Sequence, residues 1–292
     1  MKEIETNNKN YPSTTRSRHS HRRHSALPSG LAILLLAGVP ALAAEDDRLD
    51  PSSKAGLAYE IQNPFAFMYR LPVQNQFDFG YGSEDAMRYS LRLRPIIPFH
   101  LSEDWSLITR TSIPFVYQGS PEPGIPSKAG LGDTDMEFYF SPETTTRGWS
   151  VGFGPILRLP TATDDLLGGE KWGAGPAFAA LRQTHGWTYG VYVNHLWSFA
   201  GESGRSDLSG TYLQPTISYT FKSATPIGLD AESTYDWTAK QWTVPINLTV
   251  SQMVKILGQD VNITLGCRYY AEKPDGGPDW GMQLSFNFLF PK

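Results

Sequence analysis

The chain has 292 residues, 40% of them hydrophobic and 13% aromatic but only 18% charged, with 27 Gly, 22 Pro and a formal net charge of −4. That balance excludes a coiled coil, a helical repeat array and a highly charged disordered chain, and it favours an all-β fold. The single cysteine, Cys267, rules out an internal disulfide and any Cys-x-x-Cys metal or redox site.

The first predicted element lies outside the fold. Lys2, Lys9, Arg16, Arg18, Arg22 and Arg23 make a basic n-region, Leu31 to Val39 an apolar stretch, and Ala41-Leu42-Ala43 a small-x-small cleavage site. This is the pattern of a secretory signal peptide over residues 1–43, with a mature chain expected to start at Ala44. A membrane anchor would need about 20 apolar residues, and the stretch is shorter. The leader holds six of the 25 basic residues and two of the 29 acidic ones, so the remainder would carry a net charge near −8. Nucleic acid is not a partner that such a surface would bind. Residues 44–70 show no clean alternation and are expected to form a periplasmic or lumen-inserted segment.

From Leu71 onward, period-two alternation dominates. Met87, Tyr89, Leu91 and Leu93 alternate with Arg88, Ser90, Arg92 and Arg94; Val244, Ile246 and Leu248 alternate with Asn247 and Thr249. In chain order, strands are predicted near Leu71–Tyr81, Met87–His100, Trp105–Tyr117, Asp133–Phe140, Trp149–Leu159 and Trp172–Gln183. Six more follow near Trp187–Phe199, Thr211–Lys222, Ile227–Trp237, Gln241–Met253, Asp260–Tyr270 and Asp279–Phe290. Most runs match the roughly 9 to 11 residues of a tilted membrane strand, whereas strands of soluble sheets average about 5 or 6. Period two also predicts that Ile246→Arg is costly on a lipid-facing wall while Asn247→Arg is nearly neutral.

The links support the same picture. Leu101–Asp104, Ser141–Gly148, Thr184–Gly186, Ser223–Pro226 and Val254–Gln259 are short, and most of the links between them, led by Gln118–Gly132 and Pro160–Lys171, are long. Outer-membrane barrels alternate links in this way. Trp105, Trp149, Trp172, Trp187, Trp237, Trp242 and Trp280 sit at strand ends, as an aromatic girdle requires. Against the pattern stand Pro95, Pro98, Pro114, Pro155, Pro215 and Pro245, each of which removes a ladder donor; bulges or strand ends are expected to absorb them.

The stretches LPVQNQFDFGYG, RPIIPFHLSEDWSLITRTSIPFVYQ, GLGDTDMEFYFSP, LPTATDDLLGGEKWGAGP, STYDWTAKQWTVP and RYYAEKPDGGPDWG resemble the phenol meta-pathway degradation family of outer-membrane transporters over essentially all of Gln62 to Lys292. The resemblance implies a Gram-negative outer-membrane barrel that admits aromatic or other small apolar compounds, and no catalytic motif. Phe286, Phe288 and Phe290 precede Pro291 and Lys292, a displaced version of the terminal aromatic that barrel assembly machinery reads.

The expected architecture is therefore all-β: a closed antiparallel transmembrane barrel of about 12 strands over 71–292. Its function is expected to be passive uptake of small, aromatic or apolar solutes, its partners outer-membrane lipid, solute and the assembly machinery. The alternative is a closed-lumen structural barrel or an outer-membrane lipid hydrolase. Lumen candidates are Arg88, Arg92, Arg94, Arg110, Arg158, Arg182 and Arg268, with Asp135, Glu137, Asp230, Glu232 and Asp236 as counter-charges. They form either a selectivity lining or an ion-pair network that fills a narrow barrel. Hydrolysis would require a nucleophile, a His and an orienting group. Asn194-His195 is the one suggestive pair, and no matching nucleophile string accompanies it. Asp164-Asp165 and the acidic residues from Asp275 to Asp279 suit solvent-facing loop tips, so no metal and no cofactor is expected.

Overall fold

The structure, a computed structural model, describes residues 49–50, 52–144 and 148–290. The expected signal peptide, its cleavage site and the terminal Pro291-Lys292 lie outside these residues. Twelve strands form the wall: β1 (Tyr69–Tyr81), β2 (Ala86–Leu93, continued by Ile96–His100), β3 (Trp105–Gln118), β4 (Thr134–Pro142), β5 (Trp149–Leu159) and β6 (Lys171–Thr184). They continue as β7 (Trp187–Gly201), β8 (Ser209–Thr220), β9 (Pro226–Ala231, continued by Ser233–Asp236), β10 (Gln241–Ile256), β11 (Gln259–Glu272) and β12 (Trp280–Phe290). A short strip, Lys128–Leu131, folds back on β3 within the longest link.

Each strand pairs antiparallel with its sequence neighbours, and β12 pairs with β1 from Tyr69↔Phe290 to Phe79↔Trp280. The sheet is thus a closed ring with no unpaired edge. Because the strands pair all the way round the ring, such a wall can stand in hydrocarbon, where water cannot supply hydrogen bonds.

Alternation decides the two faces. Leu265, Leu248 and Phe153 are 62%, 54% and 52% exposed, whereas Gln76, Asp78, Asn247 and Arg268 are buried. This inversion of the soluble pattern has a direct physical reading: the outer face meets apolar chains and the inner face holds the polar groups. All eight tryptophans lie on the outer face near strand ends, in two belts, with Trp105, Trp149 and Trp187 at the short-turn end and the other five at the opposite end.

Some of the prolines coincide with irregularities, Pro245 with a register shift against β11, whereas Pro98, Pro114 and Pro155 stay within continuous paired strands. Pro95 separates the two parts of β2, and β9 breaks at Glu232, which register places between Gln214 of β8 and Pro245 of β10, one residue beyond Pro215↔Ala231. Pro155 and Pro176 face each other across β5 and β6. Short hairpins turn through left-handed residues: His185 and Gly186 at φ 48° and 80°, and Leu257 and Gly258 at φ 49° and 86°.

Inside the ring, at the short-turn end, lies a segment built on one helix, α1 (Lys54–Glu60), capped by the Ser53 hydroxyl, which accepts from the Gly56 N–H at 2.9 Å. Ala55, Ala58, Ile61 and Met68 pack with Ala224, Met253 and Leu289 of the wall. On the other side, Phe65 lies edge-on to Tyr139 and over Gly152, where a Cβ would come within 2.3 Å of its ring. Arg70, at the start of β1, donates to the carbonyls of Ile61 at 2.7 Å and Pro64 at 2.9 Å. Apolar contacts and two charge-assisted bonds thus hold the segment across the lumen.

Candidate functional site

Above the segment a cavity of about 560 Å3 extends up to the long links. Its floor includes Ile156, part of the apolar cluster against which Phe65 packs. A second cavity of about 500 Å3 lies at the short-turn end, between α1 and the turn at Thr184–Gly186. The segment therefore separates two cavities.

The upper cavity gathers most of the residues that alternation assigned to the lumen: Arg88, Arg92, Arg94, Arg110, Glu137, Arg158, Glu232 and Arg268 line it together, with Asp135. Their pairing is specific. Arg158 grips Asp135 through Nε and Nη2, both at 2.7 Å, and Arg110 Nε pairs with Glu137 at 2.7 Å while Asn194 donates to the same carboxylate at 3.1 Å. Arg268 bonds Glu232 and gives its Nε to Asn247 at 2.7 Å; Asn247 in turn donates to Asp230 at 2.8 Å, and Gln214 does so at 3.1 Å. Asp230 thus belongs to this network, behind the cavity surface. Arg110 also lies over the Tyr192 ring, 5.3 Å from its centre. Buried charges on this wall are tolerable because opposite charges and amide groups satisfy them.

Two expected lumen residues lie elsewhere. Asp236 stands exposed at the rim, where its carboxylate accepts the N–H groups of Thr238 and Ala239 at 2.8 and 2.9 Å, capping the β9–β10 turn. Arg182 lies on the outer face, since Leu181 beside it is 1% exposed inside, and its cross-strand neighbours are Trp149 and Tyr189. It sits in the lower aromatic belt, where a long cationic side chain reaches the headgroup zone.

Other lumen residues were not anticipated. Gln76 and Asp78 continue the inward row of β1, with Gln76 donating to Asp78 at 2.7 Å and Arg92 donating to Gln76 at 3.1 Å. The alternation Val73, Phe77, Phe79 against Gln74, Gln76, Asp78 carries that signal. Arg70 carries none, because its partners are carbonyls of a segment without periodicity.

Beyond the membrane-spanning strands, the long links are tied together. Lys128 Nζ lies 2.6 Å from Asp164 and holds that carboxyl below the usual carboxylate range; Arg205 donates to the carbonyl of Asp165 at 2.8 Å. At the opposite end Glu143 accepts from Ser106, which lowers its pKa, and lies 2.9 Å from His100, on whose ring Phe67 stacks. Among the described residues no group of three or more His, Cys, Asp or Glu is arranged to hold a metal ion. His195, the hydrolase candidate, points outward, away from the vestibule: its Nδ1 is 2.7 Å from the Thr211 hydroxyl and its ring lies beside Trp197, but its buried Nε2 has no hydrogen-bond partner, so no nucleophile of the described residues is engaged by it.

Solved structures share this architecture. The COG4313 outer membrane channel from Pseudomonas putida F1 superposes with a TM-score of 0.61 at 16% identity, over 76% of this chain and 95% of that one. The NanC porin matches at a TM-score of 0.46 and 11% identity, over 76% and 99% of the two chains. Outer membrane phospholipase A from Escherichia coli matches at 0.44 and 14%, over 82% and 99%. No protein-family profile and no curated protein matches the chain. At 16% identity the likeness to the COG4313 channel bears on the fold alone, a closed antiparallel barrel of the outer-membrane type, here with twelve strands, and leaves function to the site.

Proposed function

We propose that this chain is a channel of the Gram-negative outer membrane that admits small solutes passively, without cofactor or catalysis. One observation carries the reading: inside a closed apolar-faced wall lies a polar cavity of about 560 Å3 that extends up to the long links and ends on a separately packed segment. A barrel whose only role was structural would have no need of such a vestibule, and a narrow barrel can fill its interior with side chains alone. The segment 52–68 would be the inner gate, displaced or rearranged during passage. The sequence resemblance to the phenol meta-pathway degradation family supports aromatic or apolar solutes as cargo, and Phe290 at the end of β12 suits capture by barrel assembly machinery.

The test is purified protein in planar bilayers and in liposomes. Small, discrete conductance steps and swelling with low-mass solutes are expected. Absence of both would favour the closed-lumen barrel, for which the Arg70 contacts to the segment are the supporting observation.

A further inference from the structure

Six arginines and five acids line the vestibule, and three of those arginines have no carboxylate of the described residues within ion-pair distance. Among the described residues, Asp135, Glu137 and Glu232 are each committed to an arginine, Asp230 to two amides, and Asp78 to Gln76 with Arg268 3.9 Å away. Asp133, higher up, accepts the N–H of Gly169 at 2.7 Å. Arg88, Arg92 and Arg94 remain. They share one face of β2, and none forms an ion pair with a carboxylate of the described residues within 4.0 Å. Arg92 reaches only the neutral amide oxygen of Gln76, and Arg94 Nε is buried without any hydrogen-bond partner. Three guanidinium groups on one strand face repel one another, and an anion seated among them relieves that repulsion.

The rest of the lining differs. Ile156 of β5, Leu196 of β7 and Leu208 in the link before β8 are apolar, and the acids that face the ladder are already engaged: Asp78, across from Arg88 in the β1–β2 register, by Gln76, and Glu232 by Arg268. A volume of about 560 Å3 is ample for a small organic molecule. Resting on the channel reading, we propose that this vestibule is a binding site for a small amphipathic organic anion, its carboxylate on Arg88, Arg92 and Arg94 and its apolar body against Ile156, Leu196 and Leu208. Guanidinium forks suit this role because they take a carboxylate through two parallel hydrogen bonds.

Binding and passage can be measured apart. Full-length protein in detergent would be titrated calorimetrically with benzoate, acetate, inorganic phosphate, benzyl alcohol and benzylammonium. Benzoate should bind at least tenfold more tightly than each of the others. Equal affinity for benzyl alcohol would remove the ladder from recognition; equal affinity for acetate or phosphate would remove the apolar wall, and either result overturns the proposal. In the double variant Arg92→Gln/Arg94→Gln, checked for folding by heat-modifiable gel mobility, benzoate affinity should fall at least tenfold, and unchanged affinity also overturns it. If that variant does not fold, the wild-type series decides alone. Liposomes impermeable to all five solutes, with benzoate binding intact, would overturn the channel and leave the site; swelling without benzoate preference would do the reverse.

Discussion

Ile246 and Asn247 are adjacent in sequence and face different media. Ile246 is 39% exposed on the outer wall, whereas Asn247 is 3% exposed and bridges Asp230 and Arg268. Ile246→Arg should cost about 2–4 kcal/mol if it lies near the bilayer midplane. Period two alone makes Asn247→Arg nearly neutral; the structure corrects this, because position 247 is a buried amide between two charges. Loss of its bonds by Asn247→Ala should cost about 1–3 kcal/mol, since Asp230 and Arg268 each lose a partner, and Asn247→Arg should destabilise as well by setting a second cation against Arg268. Urea unfolding in lipid, followed by gel mobility, checks both; a wild-type midpoint for Asn247→Ala would mean that the bridge contributes nothing. Cys267 offers a probe that needs no mutation. It is exposed, and its cross-strand neighbours Leu248 and Met282 are outward-facing, so its thiol should meet acyl chains. A membrane-impermeant charged maleimide should leave it unlabelled in vesicles and label it in urea. Rapid labelling of the native form in vesicles would reverse the assignment of faces.

Among the elements, the strands were the most legible and the segment before β1 the least. Alternation works where one face is apolar and the other polar, and β2 and β10 have that contrast, so Arg88, Arg92 and Arg94 were assigned to the lumen from sequence. In β6 the inner row is Gly173, Gly175, Ala177, Ala179 and Leu181, while the outer row includes Ala174 and Ala180. With small residues on both faces the pattern carries no direction, and Arg182 was placed on the wrong side. Asp236 was misplaced for another reason: the strand ends there, and its side chain answers to the turn. The pairings inside the lumen were not legible at all, because which amide meets which carboxylate depends on register between strands distant in sequence. The same is true of α1 and residues 61–68, whose apolar side chains are matched to openings in the wall such as Gly152. Arg70 is the test of that element. Arg70→Ala removes two bonds to segment carbonyls, so single-channel conductance should rise severalfold and amide exchange at residues 61–68 should accelerate. Unchanged values for both would show that Arg70 does not retain the segment.

At the scale of the whole molecule, an even number of strands places both ends of the wall on one side, where α1 and the short turns also lie. The long links gather at the other side and brace one another through Lys128–Asp164 and Arg205, around the opening of the vestibule. Outer-membrane barrels keep short turns in the periplasm and long loops outside, so this asymmetry predicts an orientation with chain ends and short turns in the periplasm and the braced links at the cell exterior. The strip Lys128–Leu131 carries the longest link away from the membrane by continuing the β3 ladder past its neighbour β4, so an epitope placed within Gln118–Gly132 should be reached by antibody on intact cells. One placed within Ser141–Gly148, next to the lower tryptophan belt at Trp149, should be reached only after the outer membrane is permeabilised. Placed within 120–127 in the first link and directly after Glu143 in the second, both insertions fall between paired strands and leave the ring intact, so their expression can be matched by gel mobility before labelling. Equal labelling of the two on intact cells, or labelling of the second alone, would invert the barrel, and with it the direction in which the arginine-lined vestibule faces.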